Sequence, residues 1–90
     1  MTDHEKTRQN LLTRLRRIEG QVRGLQHMIE EDQDCASVVT QLTAVRGALD
    51  KVGFIVLSHR MADCLTQKID QGENKEEALE EAMKLFLKLA

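Results

Sequence analysis

The run from Asp34 to Gly72, DCASVVTQLTAVRGALDKVGFIVLSHRMADCLTQKIDQG, decides the fold. Val38, Leu42, Val45, Leu49, Val52 and Val56 recur in it at spacings of 4, 3, 4, 3 and 4. That is the heptad seam of a helix that packs against other helices. Ile55, Met61 and Leu65 extend the apolar surface. Asp34 is a good N-cap and Gly72 suits the position just past a helix end, so the pattern predicts one helix over about 34–70. Gly47 and Gly53 each cost ~1 kcal/mol of helix propensity, yet the period passes through both. Such a helix is ~50 Å long at ~1.5 Å per residue.

Upstream, Leu11, Leu15, Ile18, Val22, Leu25 and Ile29 repeat the same spacing, with Leu12 and Met28 widening the stripe. They predict a helix over about 3–30, started by a Thr2/Glu5 capping box and ended by the acidic run at 30–34. Downstream, Asn74 and Glu77 have capping-box spacing, and Leu79, Met83, Phe86 and Leu87 give a helix over about 74–89 an apolar side. The expected fold is all-α: a three-helix protomer in one domain, 1–90, whose first two helices form an antiparallel hairpin. A ~50 Å helix has no compact solution in so short a chain. A homodimer that closes two hairpins into a four-helix bundle, with the third helices at its ends, supplies one.

Composition agrees. There is no Pro, Trp or Tyr, 41% of residues are hydrophobic and 31% are charged, which excludes a disordered tail. No apolar run approaches the ~18 residues of a membrane span, and Met1–Asn10 is too polar for a signal peptide. A cytoplasmic protein with reduced thiols is expected. The net charge of −2 hides a basic head and an acidic tail. Lys6, Arg8, Arg14, Arg16, Arg17 and Arg23 precede residue 30, whereas Glu73, Glu76, Glu77, Glu80 and Glu81 lie near the end. With no acid–base pair and no phosphate loop, an enzyme is not expected, nor is a cofactor.

Cys35 and Cys64 stand 29 residues apart on the middle helix. At ~100° per residue their side chains share a face, ~20° apart, but sit ~43 Å apart along the axis. They cannot meet within one chain, since a disulfide needs Cα atoms ~4.4–6.8 Å apart. Across a two-fold axis near Leu49 and Asp50, Cys35 of one antiparallel copy meets Cys64 of the other, giving two inter-chain dithiol sites. Two ordinary buried cysteines are the bland alternative. Cys35 lies in the first turn of its helix, where free N–H groups favour a thiolate. Arg60 lies one turn before Cys64 and is placed to hold an anionic sulfur.

The stretches Thr13-Arg-Leu-Arg-Arg-Ile-Glu-Gly-Gln-Val-Arg-Gly24 and Gln41-Leu-Thr-Ala-Val-Arg-Gly-Ala-Leu-Asp-Lys51, with Cys35 and Cys64, resemble the CsoR-like family of bacterial repressors over nearly the whole chain. The resemblance implies an all-helical dimer that pairs into a tetramer, a dimer of dimers. It implies operator DNA as partner, released when an effector reacts or binds between subunits. It also implies that Arg14, Arg17 and Lys51 belong to the DNA-contacting surface; Arg46 is added on charge alone and suits the dimer interface equally. The family's Cu(I) sensors carry Cys, His and Cys where this chain has Cys35, Arg60 and Cys64. His59 is one residue away and ~100° around the helix, a poor substitute. Arginine does not ligate a cation and repels it. The nickel-type and formaldehyde-type patterns fail at the same position, with His4 displaced by one from the first and Thr2 replacing a Pro of the second. The persulfide-sensing, CstR-like branch keeps both cysteines and lacks the histidine. The resemblance therefore implies sulfane sulfur as effector and no metal. The alternative is a Cu(I)-responsive repressor that uses the same two thiolates.

Overall fold

The computed structural model describes residues 3–89, and the side chains of all of these except 60 and 61. Thr2, and with it the expected first capping box, lies outside the described residues. Helix α1 spans Asp3–Glu30 and α2 spans Cys35–Ile55; a π-helical turn, Val56–Arg60, leads into α3, Met61–Asp70, and α4 spans Lys75–Leu89. The protein is all-α, in three helical runs.

The middle run is not the uniform helix expected over 34–70. In the π turn the backbone bonds i→i+5 instead of i→i+4, so the ~100° step fails across it. The arithmetic that put Cys35 and Cys64 on one face loses its basis there. Within the turn the Ser58 hydroxyl donates to the Phe54 carbonyl at 2.8 Å and to that of Ile55 at 3.4 Å, but Thr40 and Thr43 make the same i→i−4 bond in regular helix, so that bond does not account for the turn.

The two returns between runs are built alike. Asp32 (φ 54°) and Gly72 (φ 93°) both take the left-handed conformation. Behind them Gln33 N–H donates to Met28 O at 3.0 Å, and Glu73 N–H to Lys68 O at 3.0 Å, which closes each helix end with a Schellman-type bond. An Asx cap then starts the next helix. Asp34 accepts from Ser37 N–H at 3.1 Å, and Asn74 accepts from Glu76 N–H at 2.8 Å. The Glu76 amide thus takes the Asn74 cap that was expected to pair with Glu77. Gly72 suits its φ, whereas Asp32 bears a side-chain penalty. Asp32→Gly is expected to stabilise the fold by ~0.5–1 kcal/mol and raise the melting temperature by ~2–6 °C. An unchanged or lower melting temperature in a calorimetric scan would show that Asp32 carries no strain.

The chain divides into two compact units at Val52/Gly53. In the first, residues 31–34 are too few for anything but an antiparallel return of α2 along α1. Gln41 Nε2 ties the hairpin by donating to Gln21 O at 3.1 Å. The heptad seams split lengthwise. Leu11, Ile18, Val45 and Val52 are buried, and Leu25 and Val38 half-buried, between the helices. Their alternate partners Leu15, Val22, Ile29, Leu42 and Leu49 remain 37–60% exposed. Both exposed lines are offset from the buried lines in the same rotational sense. In an antiparallel pair that puts them on one side of the hairpin, as a continuous apolar stripe.

In the second unit α4 returns along α3. Ala78 is its most buried residue at 1%, and Leu65, Ile69 and Ala82 are half-buried. Lys68 of α3 ion-pairs with Glu81 of α4. A Cβ on Gly53 would stand 2.9 Å from a Leu89 methyl, so only glycine there lets the end of α4 close in without moving that side chain.

Candidate functional site

The sequence around Cys35 is organised by its neighbour. The Asp34 carboxylate receives the Ser37 hydroxyl at 2.8 Å as well as the Ser37 amide. The hydroxyl bond, then the amide bond, hold the Asp34 carboxyl below its ordinary range. Its charge is spent on the cap. Cys35 is the first residue of α2, exposed, with a free thiol.

Cys64 lies in α3, also exposed and free. Lys68 stands one turn beyond it, where i and i+4 side chains are neighbours. The Lys68 ammonium is held above its ordinary range, first by the hydrogen bond to Glu81, with the charges of Glu81, Glu73 and Cys64 adding to it. Glu81 is held low, first by the same hydrogen bond. The sequence reading missed Lys68, although its spacing from Cys64 was there to read. Arg60 closes the π turn; its side chain lies outside the described residues. His59 is exposed. Cys35 belongs to the first unit and Cys64 to the second. Among the described residues no three His, Cys, Asp or Glu side chains converge as a metal site.

The basic residues sort into faces. On α1, a groove is lined by Lys6, Gln9, Asn10, Thr13, Arg14 and Arg17. It contains cations and neutral hydrogen-bonding groups and no carboxylate. Asn10 Oδ1 accepts from Arg14 Nε at 2.7 Å, which fixes the guanidinium. An adjoining groove that shares Gln9 and Thr13 with it includes Glu5 and Leu12 beside Arg8 and Arg16. The structure thus groups Arg14 with Arg17 and adds Lys6, which the sequence reading passed over despite its place two turns before Arg14. Arg46 and Lys51 are exposed on α2. Five residues apart, they point ~140° apart and share no face.

A profile for metal-sensitive transcriptional repressors matches residues 7–88. The chain belongs to that family. Members of this CsoR family are transcriptional repressors and not enzymes. The copper-sensing repressor RicR of Mycobacterium tuberculosis is 42% identical over 69 residues, 77% of this chain and 72% of RicR. The copper-sensing repressor CsoR of Bacillus subtilis is 36% identical over 83 residues, 92% of this chain and 81% of CsoR. Among solved structures, the CsoR of Geobacillus thermodenitrificans with Cu(I) superposes with a TM-score of 0.79 at 35% identity, covering 98% of this chain and 88% of that one. The nickel-responsive regulator InrS superposes at 0.75 with 39% identity, covering 91% of each chain. In this CsoR-family chain the two motif stretches meet where α1 packs on α2: Gln21 and Gln41 make the hydrogen bond that joins them.

Proposed function

We propose that this repressor senses sulfane sulfur through Cys35 and Cys64, brought together between two copies of the chain. The observation that carries this reading is a pair of exposed free thiols with arginine at the position between them where the Cu(I) pattern has histidine. The thiols suit a redox pair. One thiolate attacks a sulfur of a hydropolysulfide anion. A new S–S bond forms as the adjacent one breaks, and its electron pair leaves on a shorter sulfide chain. The thiolate of the second copy then attacks the protein sulfur of the persulfide and expels hydrosulfide. Two thiols and one sulfane sulfur give a disulfide and hydrogen sulfide, so the effector is itself the oxidant. Longer bridges retain extra sulfur. Arg60 holds the anionic sulfur until the bridge closes.

The stripe of Leu15, Val22, Ile29, Leu42 and Leu49 supports the assembly that this chemistry needs. A second hairpin covers it and completes a four-helix bundle, and two such dimers form the tetramer. The meeting of Cys35 with Cys64 of a second copy then rests on a two-fold axis near Leu49 and Asp50, with the π turn lying between that axis and Cys64. A bridge that fits only the DNA-free arrangement draws the assembly toward it by its own stability, on the order of a few kcal/mol.

Operator DNA is held by the Lys6, Arg14 and Arg17 groove, repeated in each protomer, with Lys51 on the same assembly. Arg46, exposed on α2, adds to the DNA contacts or to the subunit interface. Arg17→Ala is expected to weaken binding to all DNA sequences alike. It should also flatten the plot of log affinity against log salt by at least ~1 unit of slope. An unchanged slope would remove Arg17 from the phosphate contacts.

The copper sensing of RicR and CsoR favours a second reading. In it Cys35 and Cys64 bind Cu(I) as two soft thiolates. Operator release followed by fluorescence anisotropy, under anaerobic conditions, separates the two. Release by inorganic polysulfide at stoichiometries near the thiols, with Cu(I) ineffective, is the expected result. Release by one Cu(I) per site with no response to polysulfide would establish the second reading.

A further inference from the structure

We propose that Lys68 selects the charge of whatever reacts at Cys64, admitting anions and disfavouring cations, and that Glu81 of α4 sets how far Lys68 is available. The inference rests on the sensing role given to Cys64.

The geometry is local to the second unit. Cys64 and Lys68 are one turn apart on α3, which places their Cβ atoms ~5–6 Å apart. The Lys68 ammonium reaches across to α4 and ion-pairs with Glu81. Both side chains of that pair are about half exposed, at 45% and 49%. An exposed pair of flexible side chains is a weak clamp, screened by water and easily exchanged. Lys68 can therefore leave Glu81 for an anion arriving at Cys64. Among the groups that raise the Lys68 ammonium's affinity for its proton is Cys64 itself, which fits a shared cation. Glu73 also pulls on Lys68, and Lys84 on Glu81, so neither partner holds the other alone.

A hydropolysulfide is an anion, and Cu(I) is a cation. A lysine beside the thiol raises the local concentration of the first and lowers that of the second. Arg60, one turn on the other side of Cys64, has the same sign. A thiol with a cation one turn along its own helix is suited to an anionic electrophile. α4 enters this chemistry through a single carboxylate.

The test compares two alkylating reagents of similar reactivity and different charge, anionic iodoacetate and neutral iodoacetamide. They are applied to the reduced full-length protein under anaerobic conditions, and labelling of Cys35 and Cys64 is read separately by peptide mass spectrometry. Coulomb's law for unit charges ~6 Å apart in water corresponds to roughly a threefold rate effect. Lys68→Gln is expected to lower the iodoacetate-to-iodoacetamide rate ratio at Cys64 about threefold and to leave the ratio at Cys35 unchanged. Lys68→Arg keeps the charge and is expected to keep the ratio. Glu81→Gln frees Lys68 and is expected to raise it. A Cys64 ratio unmoved by Lys68→Gln, or one that falls equally at Cys35, overturns the proposal. The same variants are then treated with inorganic polysulfide. A ratio that responds to Lys68 in a protein that never forms a bridge leaves Lys68 as the selecting residue and removes the sensing reading. A bridge that forms at the same rate in Lys68→Gln, with an unmoved ratio, removes Lys68 and leaves sensing intact.

Discussion

Cys35→Ala and Cys64→Ala are each expected to bind operator DNA within about threefold of the unsubstituted affinity and to stay bound when polysulfide is added. Both thiols are exposed, so trimming either removes little packing and leaves the basic groove of α1 untouched. The effector response is another matter. A bridge needs two sulfurs, and one thiol can only reach the persulfide stage. Each single variant should therefore lose the response completely. A partial response in Cys64→Ala would mean that Cys35 persulfidation alone moves the assembly. An anisotropy titration with polysulfide distinguishes the two.

The second large effect comes from the apolar stripe. Leu42 is 51% exposed and Leu49 47% exposed on α2 of a single hairpin. Fully burying an exposed leucine is worth ~1.5–3 kcal/mol, so covering the half of Leu42 that is still exposed is worth about half of that, and in a two-fold interface each substitution counts twice. Leu42→Asp loses that burial at two places and adds two carboxylates to an apolar seam. A loss of ~1.5–3 kcal/mol from the lost burial is expected, with the cost of the two carboxylates added to it, equivalent to at least about tenfold. Sedimentation should show monomer at concentrations where the unsubstituted chain is assembled. DNA binding should fall with it, because phosphate contacts gathered from several protomers are lost together. A Leu42→Asp protein that remains assembled would place the interface elsewhere. Asp32→Gly serves as the control, since it alters the same unit without touching the stripe.

The helix ends were legible because their residues act locally. Asp34, Asn74 and Gly72 carry their caps and turns in their own side chains or lack of one. Asp32 was not read as a left-handed residue, because an aspartate in an acidic run gives no sign of its φ. The heptad seams gave the helices and the hairpin. Which half of each seam turns inward is not in the period, since Leu11 and Leu15, or Val45 and Leu49, are equivalent until a partner helix is placed. The π turn was invisible for a related reason. None of Val56, Leu57, Ser58, His59 and Arg60 breaks a helix, and the Ser58 hydroxyl bond to Phe54 O is of a kind that Thr40 and Thr43 make in regular helix, so no residue of the turn announces it. At the site, the cysteines and Arg14 with Arg17 were read from the chain. Lys68 stands in the sequence one turn after Cys64, but nothing there shows what holds it. Its pairing with Glu81 joins residues 13 apart, which only the return of α4 brings together.

The central claim is that Cys35 of one copy reacts with Cys64 of another. It is tested most directly by mixing Cys35→Ala and Cys64→Ala subunits, exchanging them under reducing conditions, and treating the anaerobic mixture with inorganic polysulfide before intact-protein mass spectrometry. A covalent heterodimer, with zero or more added sulfur atoms and absent from either variant alone, is the expected result. A mixture that stays monomeric by mass while the unsubstituted protein takes up stoichiometric Cu(I) would contradict it and make the two thiolates a copper site.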